Sequence, residues 1–452
     1  MTTTQPIAII CLAPGGLDGA GLNPTMLAWA QANAFDGEHG RLLPVPGENG
    51  ALGAYLFGLG EAGDRSPMVL GLAGAKLAPG DYRLAGAFGD PTLAAVAFRL
   101  GAYRFARYKK GKPAPQLALP EGADPAEVER LVEAATLARD WINTPANDFG
   151  PEEFERQIRT FAQERGMSVA ATVGEDLLAA GFPLIHAVGR AGHQPPRLLD
   201  LSWGDPSHPK VTLVGKGVTF DTGGLDIKNA AGMLLMKKDM GGAANILGLT
   251  HAIVSAKLGL RLRVLIPIVE NAIASAAFRP GDVLPSRKGL TVEIGNTDAE
   301  GRLILADALA LADEESPELL LDMATLTGAA RVALGPELPA LFSTDDALAR
   351  ELMTAGLALD DPLWQMPLWS PYDAMMNSKI ADVNNAGQGG FAGSITAALF
   401  MRRFVANAGA WVHLDIMAWA PEARAGRPFG ATDHGIRAVY GVLKARYPRA
   451  AS

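Results

Sequence analysis

From about residue 150 onward, the chain alternates between two kinds of hydrophobic pattern. Four short apolar runs have the length and composition of buried strands: Val211–Val214, Arg263–Val269, Leu319–Met323 and Trp411–Ile416. Between them lie segments whose apolar positions recur at helical spacing: Gly242–Ala256, Leu303–Ala312 and Ile395–Ala406. Strands that are separated by helices pair in parallel through crossover connections, so this part predicts an α/β fold.

The pattern of the first ~120 residues is weaker, with short apolar runs between Gly- and Pro-rich turns. It predicts buried strands at Ile7–Leu12 and Met68–Leu72 and a helix at Leu93–Tyr108. The segment Lys109–Ala123 is rich in Lys, Pro and Gly, which is typical of a linker. We therefore expect a smaller α/β unit at this end of the chain.

A helix with clear start and stop signals follows the predicted linker. Asp124 is a suitable N-cap, Pro125 suits the first turn, and apolar residues recur at helical spacing as far as Ile142. Pro145 disfavours helix at the residue before it. The sequence thus predicts two domains, the second with a mixed, mostly parallel sheet flanked by helices: an N-terminal α/β domain at 1–123, a connecting helix at 124–147 and a C-terminal domain at 148–452.

Composition excludes several classes of protein. The 452 residues are 48% hydrophobic, which suits a large buried core and argues against general disorder. The net charge of −8 disfavours a nucleic-acid binder. Cys11 is the only cysteine, as expected in a reducing compartment. We expect no signal peptide and no membrane span, and hence a cytoplasmic protein.

The first of two chemically distinctive segments begins where the strand ending at Val214 stops. It contains Lys216, Asp221, Lys228 and Asp239 among several glycines. A phosphate-binding loop is excluded, because Gly217 stands where that loop needs Ser or Thr. Sites in α/β proteins form at the carboxyl ends of strands, which makes this segment a candidate site.

The second segment is the octapeptide at 296–303, in which Asp298, Glu300 and Arg302 alternate with other residues. An extended backbone would point these three side chains in one direction. A capping box from Thr297 to Glu300, preceding the next helix, is the ordinary structural alternative. Taken singly, the other residues also have ordinary interpretations as turn aspartate, helix cap or surface lysine.

The joint pattern of the two segments points to metal chemistry. Three aspartates and one glutamate supply four negative charges, which would balance two divalent cations. Carboxylate oxygens suit hard divalent ions, and the sequence has no His/Cys zinc cage. Two such ions can activate a water and hold a substrate oxygen. A phosphoester hydrolase could use the same carboxylate-bridged ions, so it remains an alternative.

Both segments resemble the signatures of the leucyl (cytosol) aminopeptidase family. The octapeptide Asn-Thr-Asp-Ala-Glu-Gly-Arg-Leu stands unbroken, and the Gly-Lys-Gly stretch, the Asp-Met-Gly-Gly-Ala-Ala stretch and Thr-Leu-Thr-Gly accompany it in order. The four matches lie at 296–303, 215–224, 239–244 and 325–328. The resemblance covers roughly residues 140 to 440 and implies a two-metal exopeptidase that releases N-terminal residues, preferably leucine or a similar apolar residue.

The resemblance implies a role for each residue of the two segments. Lys228 would polarise the scissile carbonyl, and Arg302 would hold a bicarbonate ion that acts as the general base. Five residues would bind two divalent ions, Zn or Mn, with Asp221 and Glu300 bridging them: Lys216, Asp221, Asp239, Asp298 and Glu300. Three residues would line the pocket for the first residue of the peptide: Met236, Leu326 and Gly328. A homo-hexamer is the implied assembly.

Some positions depart from the pattern of the family. Asp226 stands where many relatives have Ser, and Asn229 replaces a frequent Pro. Asp433 and His434 depart from the usual Gly-Ala-Thr-Gly, a departure that bears on the fit of the C-terminal wall of the substrate site. Some members of the family have acquired non-catalytic DNA-binding roles, an alternative that the negative net charge opposes.

Overall fold

In the computed structural model, which describes residues 5–449, the chain forms two units, each with its own sheet. The first unit extends to Thr136 and includes residues 358–360 and 420–430, and the remainder forms the second unit. Both combine helices with mixed sheets, so the two-domain α/β prediction is confirmed.

The sheet of the first unit has the apolar strand β1 at its centre, in the order β2-β3-β1-β4-β5. β3 and β4 flank β1 in parallel, and β2 is the antiparallel edge. The strands are β1 Ile7–Leu12, β2 Leu42–Pro46, β3 Leu52–Gly58, β4 Asp81–Gly86 and β5 Gln116–Leu117. The helices are α1 Pro24–Ala32, α2 Gly71–Lys76 and α3 Pro91–Gly101, followed by α4 Pro125–Asn143.

Three predictions for the first unit are wrong in detail. Met68–Leu72 is not a strand but a turn that leads into α2, because a short buried apolar run fits either element. The helix predicted at Leu93–Tyr108 is α3, which starts earlier and ends at Gly101. The predicted linker contains β5. The predicted cap of α4 is confirmed, since Asp124 Oδ1 accepts the backbone N–H groups of residues 126 and 127.

The main sheet of the second unit has nine strands in the described part of the chain. Its order is β15-β14-β17-β13-β8-β10-β7-β6, with β9 also paired to β10. The strands of this unit are β6 Ser168–Val173, β7 Arg197–Trp203, β8 Lys210–Gly215, β9 Gly217–Asp221, β10 Arg261–Asn271, β11 Val283–Pro285, β12 Thr291–Glu293, β13 Leu319–Ala324, β14 Ala340–Ser343, β15 Trp364–Gln365, β16 Val383–Asn384 and β17 Ala410–Asp415, followed by the short strands β18 Trp419–Ala420 and β19 Gly430–Ala431.

Helices cover this sheet and connect its strands. They are α5 Pro151–Glu164, α6 Asp176–Ala179, α7 Pro183–Gly189, α8 Ala230–Met233, α9 Gly241–Ala256, α10 Gly301–Asp313, α11 Gly328–Leu334, α12 Asp346–Ala358, α13 Gly393–Arg402 and α14 Ile436–Arg446. Short 3₁₀ helices occupy Ala62–Asp64, Met236–Met240 and Ser370–Met376. The three helices predicted in this part are α9, α10 and α13, although α13 ends before the predicted Ala406.

The four strands predicted from apolar runs form the middle of this sheet. They are β8, β10, β13 and β17, and each is parallel to its neighbour within the group. The helix α9 packs on β8 and β13 and is buried along most of its length. A Cβ added at Gly242 would lie 2.1 Å from the carbonyl oxygen of Met323, so the close approach of α9 to β13 requires glycine. Because these four strands are parallel, their carboxyl ends lie at the same edge of the sheet.

No helix among the described residues is both long enough and apolar enough to cross a membrane.

Candidate metal centre

The predicted ligands lie where parallel strands of the second unit end. β8 stops directly before Lys216, and β9 stops at Asp221. β13 stops directly before Thr325, whose hydroxyl donates to Asp239 Oδ1 at 2.7 Å. Strand ends are the usual position for sites in α/β sheets, because loops there can present side chains without disturbing the sheet.

The Lys216 ammonium is buried among carboxylates. Its Nζ lies 2.8 Å from Asp239 Oδ2 and 3.0 Å from Glu300 Oε1, and it donates to the carbonyl oxygen of Thr325. Burial opposes the charged amine, but Asp239 and Glu300 outweigh this effect and raise the pKa of Lys216. A Cβ at Gly301 would lie 2.6 Å from Lys216 Cε, so the space that the amine occupies exists because residue 301 has no side chain.

The second lysine of the site is Lys228, which pairs with two other carboxylates. Its Nζ lies 2.8 Å from Asp221 Oδ2 and also forms a close ion pair with Asp298. Burial again opposes the charge, and Asp221 and Asp298 raise the pKa of the Lys228 amine. The Lys228 side chain therefore stays protonated beside the cluster of carboxylates.

Three carboxylates approach one another closely enough to share a cation. One oxygen each of Asp221, Asp298 and Glu300 lies within 4.8 Å of the others. Burial, and then the charge of Asp221, raise the pKa of Glu300 to about 8 and that of Asp298 to about 6. Glu300 Oε2 is buried and has no hydrogen-bond partner among the described residues. Repelling oxygen donors with an unpartnered buried atom fit a divalent cation.

The segment that contains Asp298, Glu300 and Arg302 is neither extended nor a capping box. Residues 296–300 form a turn, and Glu300 has helical backbone angles directly before α10. Thr297 does not cap the helix, since its hydroxyl donates to the carbonyl oxygen of Gly223. The convergence of Asp298 and Glu300 thus comes from a turn that is fixed from outside the segment.

Two asparagines that the sequence analysis missed hold this turn. Asn385 Oδ1 accepts the backbone N–H groups of residues 295 and 296, and its amide donates to the carbonyl oxygen of Asn296. Asn271 donates to Asp221 Oδ1 at 2.8 Å and to the carbonyl oxygen of Thr297. Asn271 ends β10, so the strand-end rule could have identified it, whereas Asn385 lies in a loop that has no such signal.

Arg302 is buried in the first turn of α10. Its Nη1 donates to the carbonyl oxygen of Asn385 at 2.7 Å, and its Nε has no partner among the described residues. Burial lowers the pKa of Arg302 to about 10, and the nearby carboxylates of Glu300 and Asp415 act in the opposite direction. The guanidinium remains cationic at neutral pH and keeps hydrogen-bonding capacity for an anion.

A cavity of about 550 Å³ opens over this cluster. All ten residues that the sequence analysis assigned to the site line it, including Met236, Leu326 and Gly328. Lys238 and Arg331, which the sequence analysis did not single out, also line it. Burial lowers the pKa of Lys238 to about 8, and Arg331 and Lys216 act in the same direction, whereas Asp239 and Asp415 oppose it.

Of the residues that depart from the family pattern, Asn229 is among those that line the cavity. Asp226 accepts hydrogen bonds from the backbone N–H and hydroxyl of Thr297, and Asn229 caps the short helix α8. Asp433 is fully buried in ion pairs, and the backbone N–H of His434 donates to Asn245. Neither Asp433 nor His434 is among the described residues that line the cavity.

Comparison with known proteins decides the family. The model of the cytosol aminopeptidase family, catalytic domain, matches residues 136–440, and that of the M17 aminopeptidase N-terminal domain matches residues 14–120. The chain belongs to the cytosol aminopeptidase family. The resemblance found in the sequence is confirmed, and this family consists of metal-dependent aminopeptidases, which are hydrolases.

Several members of the cytosol aminopeptidase family are similar over much or all of the chain. A probable cytosol aminopeptidase of Syntrophotalea carbinolica is 44% identical over 71% of this chain, which spans only 65% of that relative's length. One from Caulobacter vibrioides is 36% identical over 98% of both chains. The crystal structure of a Coxiella burnetii cytosol aminopeptidase has a TM-score of 0.93 and 45% identity, covering 99% of this chain and 98% of the other. The bottromycin maturation enzyme BotP in complex with Mn has a TM-score of 0.90 and 33% identity, covering 98% and 100%.

Proposed function

We propose that this chain is a metal-dependent aminopeptidase that hydrolyses the first peptide bond of a peptide. The observation that carries the proposal is the convergence of three carboxylates within 4.8 Å of one another, beside two lysines, in the floor of a cavity. Membership of the cytosol aminopeptidase family supports the same activity. Peptides with a free N-terminus are the proposed substrates.

The residues present fit a pair of divalent ions. Four carboxylates surround two lysines, and oxygens of Asp221, Asp298 and Glu300 lie within 4.8 Å of one another, a crowding that a divalent cation would relieve. Zn or Mn would be held by the five residues predicted as ligands: Lys216, Asp221, Asp239, Asp298 and Glu300. When bound, such ions supply Lewis acidity and a nucleophilic water at neutral pH. Lysine binds a metal only as the neutral amine, so loading would release a proton from Lys216.

Lys228 is the residue that we propose acts on the peptide carbonyl. Its raised pKa keeps it protonated, and it lines the cavity beside Asp221 and Asp298. A fixed ammonium group there would donate to the carbonyl oxygen and stabilise the negative charge that develops on it. Asp221 and Asp298 restrict the lysine rotamers, so the amine is oriented before the substrate binds.

Arg302 is the proposed anion-binding residue. Its unpartnered Nε, together with its place in the cavity wall, supports the binding of bicarbonate, which would serve as a general base. The hydrogen bond from Nη1 to Asn385 fixes the guanidinium plane. Arginine suits this task because its planar fork matches a carboxylate-like anion.

The first residue of the peptide is proposed to lie against Met236, Leu326 and Gly328. The first two offer apolar contact, and the glycine leaves space, which suits leucine or a similar residue. We further propose, from the family resemblance, a homo-hexamer in the cytoplasm. Size-exclusion chromatography with light scattering tests the assembly, and a monomer would contradict it.

Metal removal tests the central proposal. The purified protein should lose hydrolysis of leucine p-nitroanilide after chelation and regain it with Mn or Zn, because the carboxylates need the cations. N-acetyl-leucine p-nitroanilide and p-nitrophenyl phosphate are the controls for the free amine and for a phosphoesterase. Activity that persists after chelation, or that appears only with the phosphate ester, would refute the assignment.

Replacing Lys228 tests the role of the ammonium group. Lys228→Met should lower kcat by roughly 10²–10³-fold with a smaller change in KM, since the hydrogen bond strengthens in the transition state. Steady-state kinetics with leucine p-nitroanilide measures both constants. An unchanged kcat would remove Lys228 from the mechanism.

A further inference from the structure

The cavity contains a buried cation that the proposed mechanism does not use. The side chain of Lys238 is only 2% exposed, and its ammonium makes no hydrogen bond and no ion pair with any described residue. It lies on the 3₁₀ helix Met236–Met240, directly before Asp239. A buried charge without a partner is costly, so an anion that enters the cavity would gain from meeting it.

A second cation without a partner among the described residues lines the same pocket, and it is Arg331. Arg331, on α11, lines the cavity, and its guanidinium has no hydrogen-bond or ion-pair partner in the described part of the chain. A Cβ added at Gly328 would lie 3.6 Å from Arg331 Nη2, which places the guanidinium beside this glycine. The two cations are close enough for Arg331 to be among the charges that act on Lys238.

The acidic residues nearest these two cations are already engaged. Asp239 pairs with Lys216 and accepts from Thr325. Asp415 accepts the backbone N–H groups of residues 326 and 327 and the Thr327 hydroxyl at 2.6 Å. These bonds also fix the loop that precedes α11. The positive charge of Lys238 and Arg331 is therefore left for a ligand.

We propose that Lys238 and Arg331 select peptides whose first residue is Glu or Asp, by binding its side-chain carboxylate. This inference rests on the proposed aminopeptidase function. Met236 lies two residues before Lys238, Gly328 lies beside Arg331, and all four line the cavity that holds the pocket proposed for the first residue. The methylene stem of glutamate would meet the apolar wall that also suits leucine, and its carboxylate would accept from the guanidinium fork and the ammonium.

The test compares substrates that differ only in charge. The metal-loaded full chain is assayed with the p-nitroanilides of glutamate, glutamine and leucine. The measured quantity is the kcat/KM ratio of glutamate over glutamine within each variant, so a general loss of rate does not affect it. In the wild type, a buried charge-assisted contact predicts a ratio of about ten or more.

Three variants locate the charge that sets this ratio. Lys238→Met and Arg331→Met should each lower it by about tenfold, because both residues contact the carboxylate. Lys237→Met is the matched control: the Lys237 ammonium donates to the carbonyl oxygen of Asn143 and is not among the described residues that line the cavity, so the ratio should stay as in the wild type. Arg331 is partly exposed, so its variant carries the test if Lys238→Met fails to fold.

The outcomes separate this inference from the proposed function. Hydrolysis of the leucine and glutamine substrates with a glutamate-to-glutamine ratio of one or less overturns the inference alone. A high ratio that both pocket variants leave unchanged also overturns it. Hydrolysis of none of the three substrates after metal loading overturns the aminopeptidase function and this inference with it. Thermal shifts with L-glutamate and L-glutamine give an independent readout, and equal shifts count against the inference.

Discussion

Two buried charge clusters lie in the second unit of this chain, and they differ in how their charges are balanced. In the first, Glu300 Oε2 has no partner among the described residues, and burial, followed by the Asp221 charge, raises the pKa values of the Glu300 and Asp298 carboxyls. In the second, both oxygens of Asp433 face guanidinium groups, with Arg139 Nη2 and Arg437 Nη1 each at 2.7 Å. Glu300 and Asp433 are both buried, so burial alone does not mark a functional site.

The difference shows what a site open to a ligand needs. The Asp433 cluster satisfies each carboxylate oxygen within the protein, which makes it a structural link between α4 and α14. In the cluster around Glu300, three carboxylates crowd together, Glu300 Oε2 has no partner among the described residues, and the group faces a cavity. A buried excess of one sign is stable only with a bound counter-ion or with altered protonation.

The largest expected effect is a loss of activity on substitution in the cluster around Glu300. Glu300→Gln should lower kcat/KM for leucine p-nitroanilide by roughly 10⁴-fold. The loss should be this large because Glu300 is proposed to act together with the other metal-binding residues, and residues that act as a unit each cost nearly the whole effect when removed. Metal content after gel filtration should fall with it, because an amide is a poorer ligand than a carboxylate. Near-normal activity with full metal content would mean that the unpartnered oxygen does not face a metal.

A substitution in the Asp433 cluster should lower the stability of the protein rather than its activity. Asp433→Asn leaves two buried arginines short of their counter-charge, which should cost about 3–5 kcal/mol of unfolding free energy in urea titration. The kcat/KM of the folded protein should hardly change. Glu351→Gln, which breaks the exposed ion pair with Arg446, is the matched control and should cost about 0–1 kcal/mol.

If Asp433→Asn instead abolished activity without a loss of stability, the contrast between a structural and a functional cluster would fail.

The smallest effect concerns pH. Without metal, the pKa values of Glu300 and Asp298 are raised to about 8 and about 6. At a pH between the ordinary pKa of a carboxyl group and these raised values, the folded protein therefore binds more protons than the unfolded one. Stability of the chelated protein should therefore fall as pH rises from about 4.5 to 8. Glu300→Gln should flatten this fall by a few degrees in Tm, measured by scanning fluorimetry, whereas parallel curves for wild type and variant would contradict it. Excess metal should reverse the trend, since metals bind the deprotonated ligands.

The sequence predicted well what depends on local pattern. The runs that became β8, β10, β13 and β17 are continuously apolar because both faces of a parallel sheet are covered, and this signal needs no knowledge of distant residues. The convergence of the acidic residues was predicted from their joint presence at strand ends. The resemblance to the family supplied the roles that pattern alone does not give.

What the sequence could not predict depends on distant partners. The turn at 296–300 is held by Asn271 and Asn385. The segment therefore adopts neither of the two geometries that its own sequence suggested, the extended backbone and the capping box. Lys238 resembles a surface lysine until the fold buries it. Asp433 differs from the family pattern for a reason that only its two arginine partners show.

The missing side chain at residue 301 has a consequence beyond packing. Because the Lys216 amine occupies the volume that even one methyl group would need, the first turn of α10 and the lysine share a single space. A side chain at residue 301 would require the Lys216 amine to shift. The choice of residue at a position that carries no charge therefore bears on where one positive charge of the site lies.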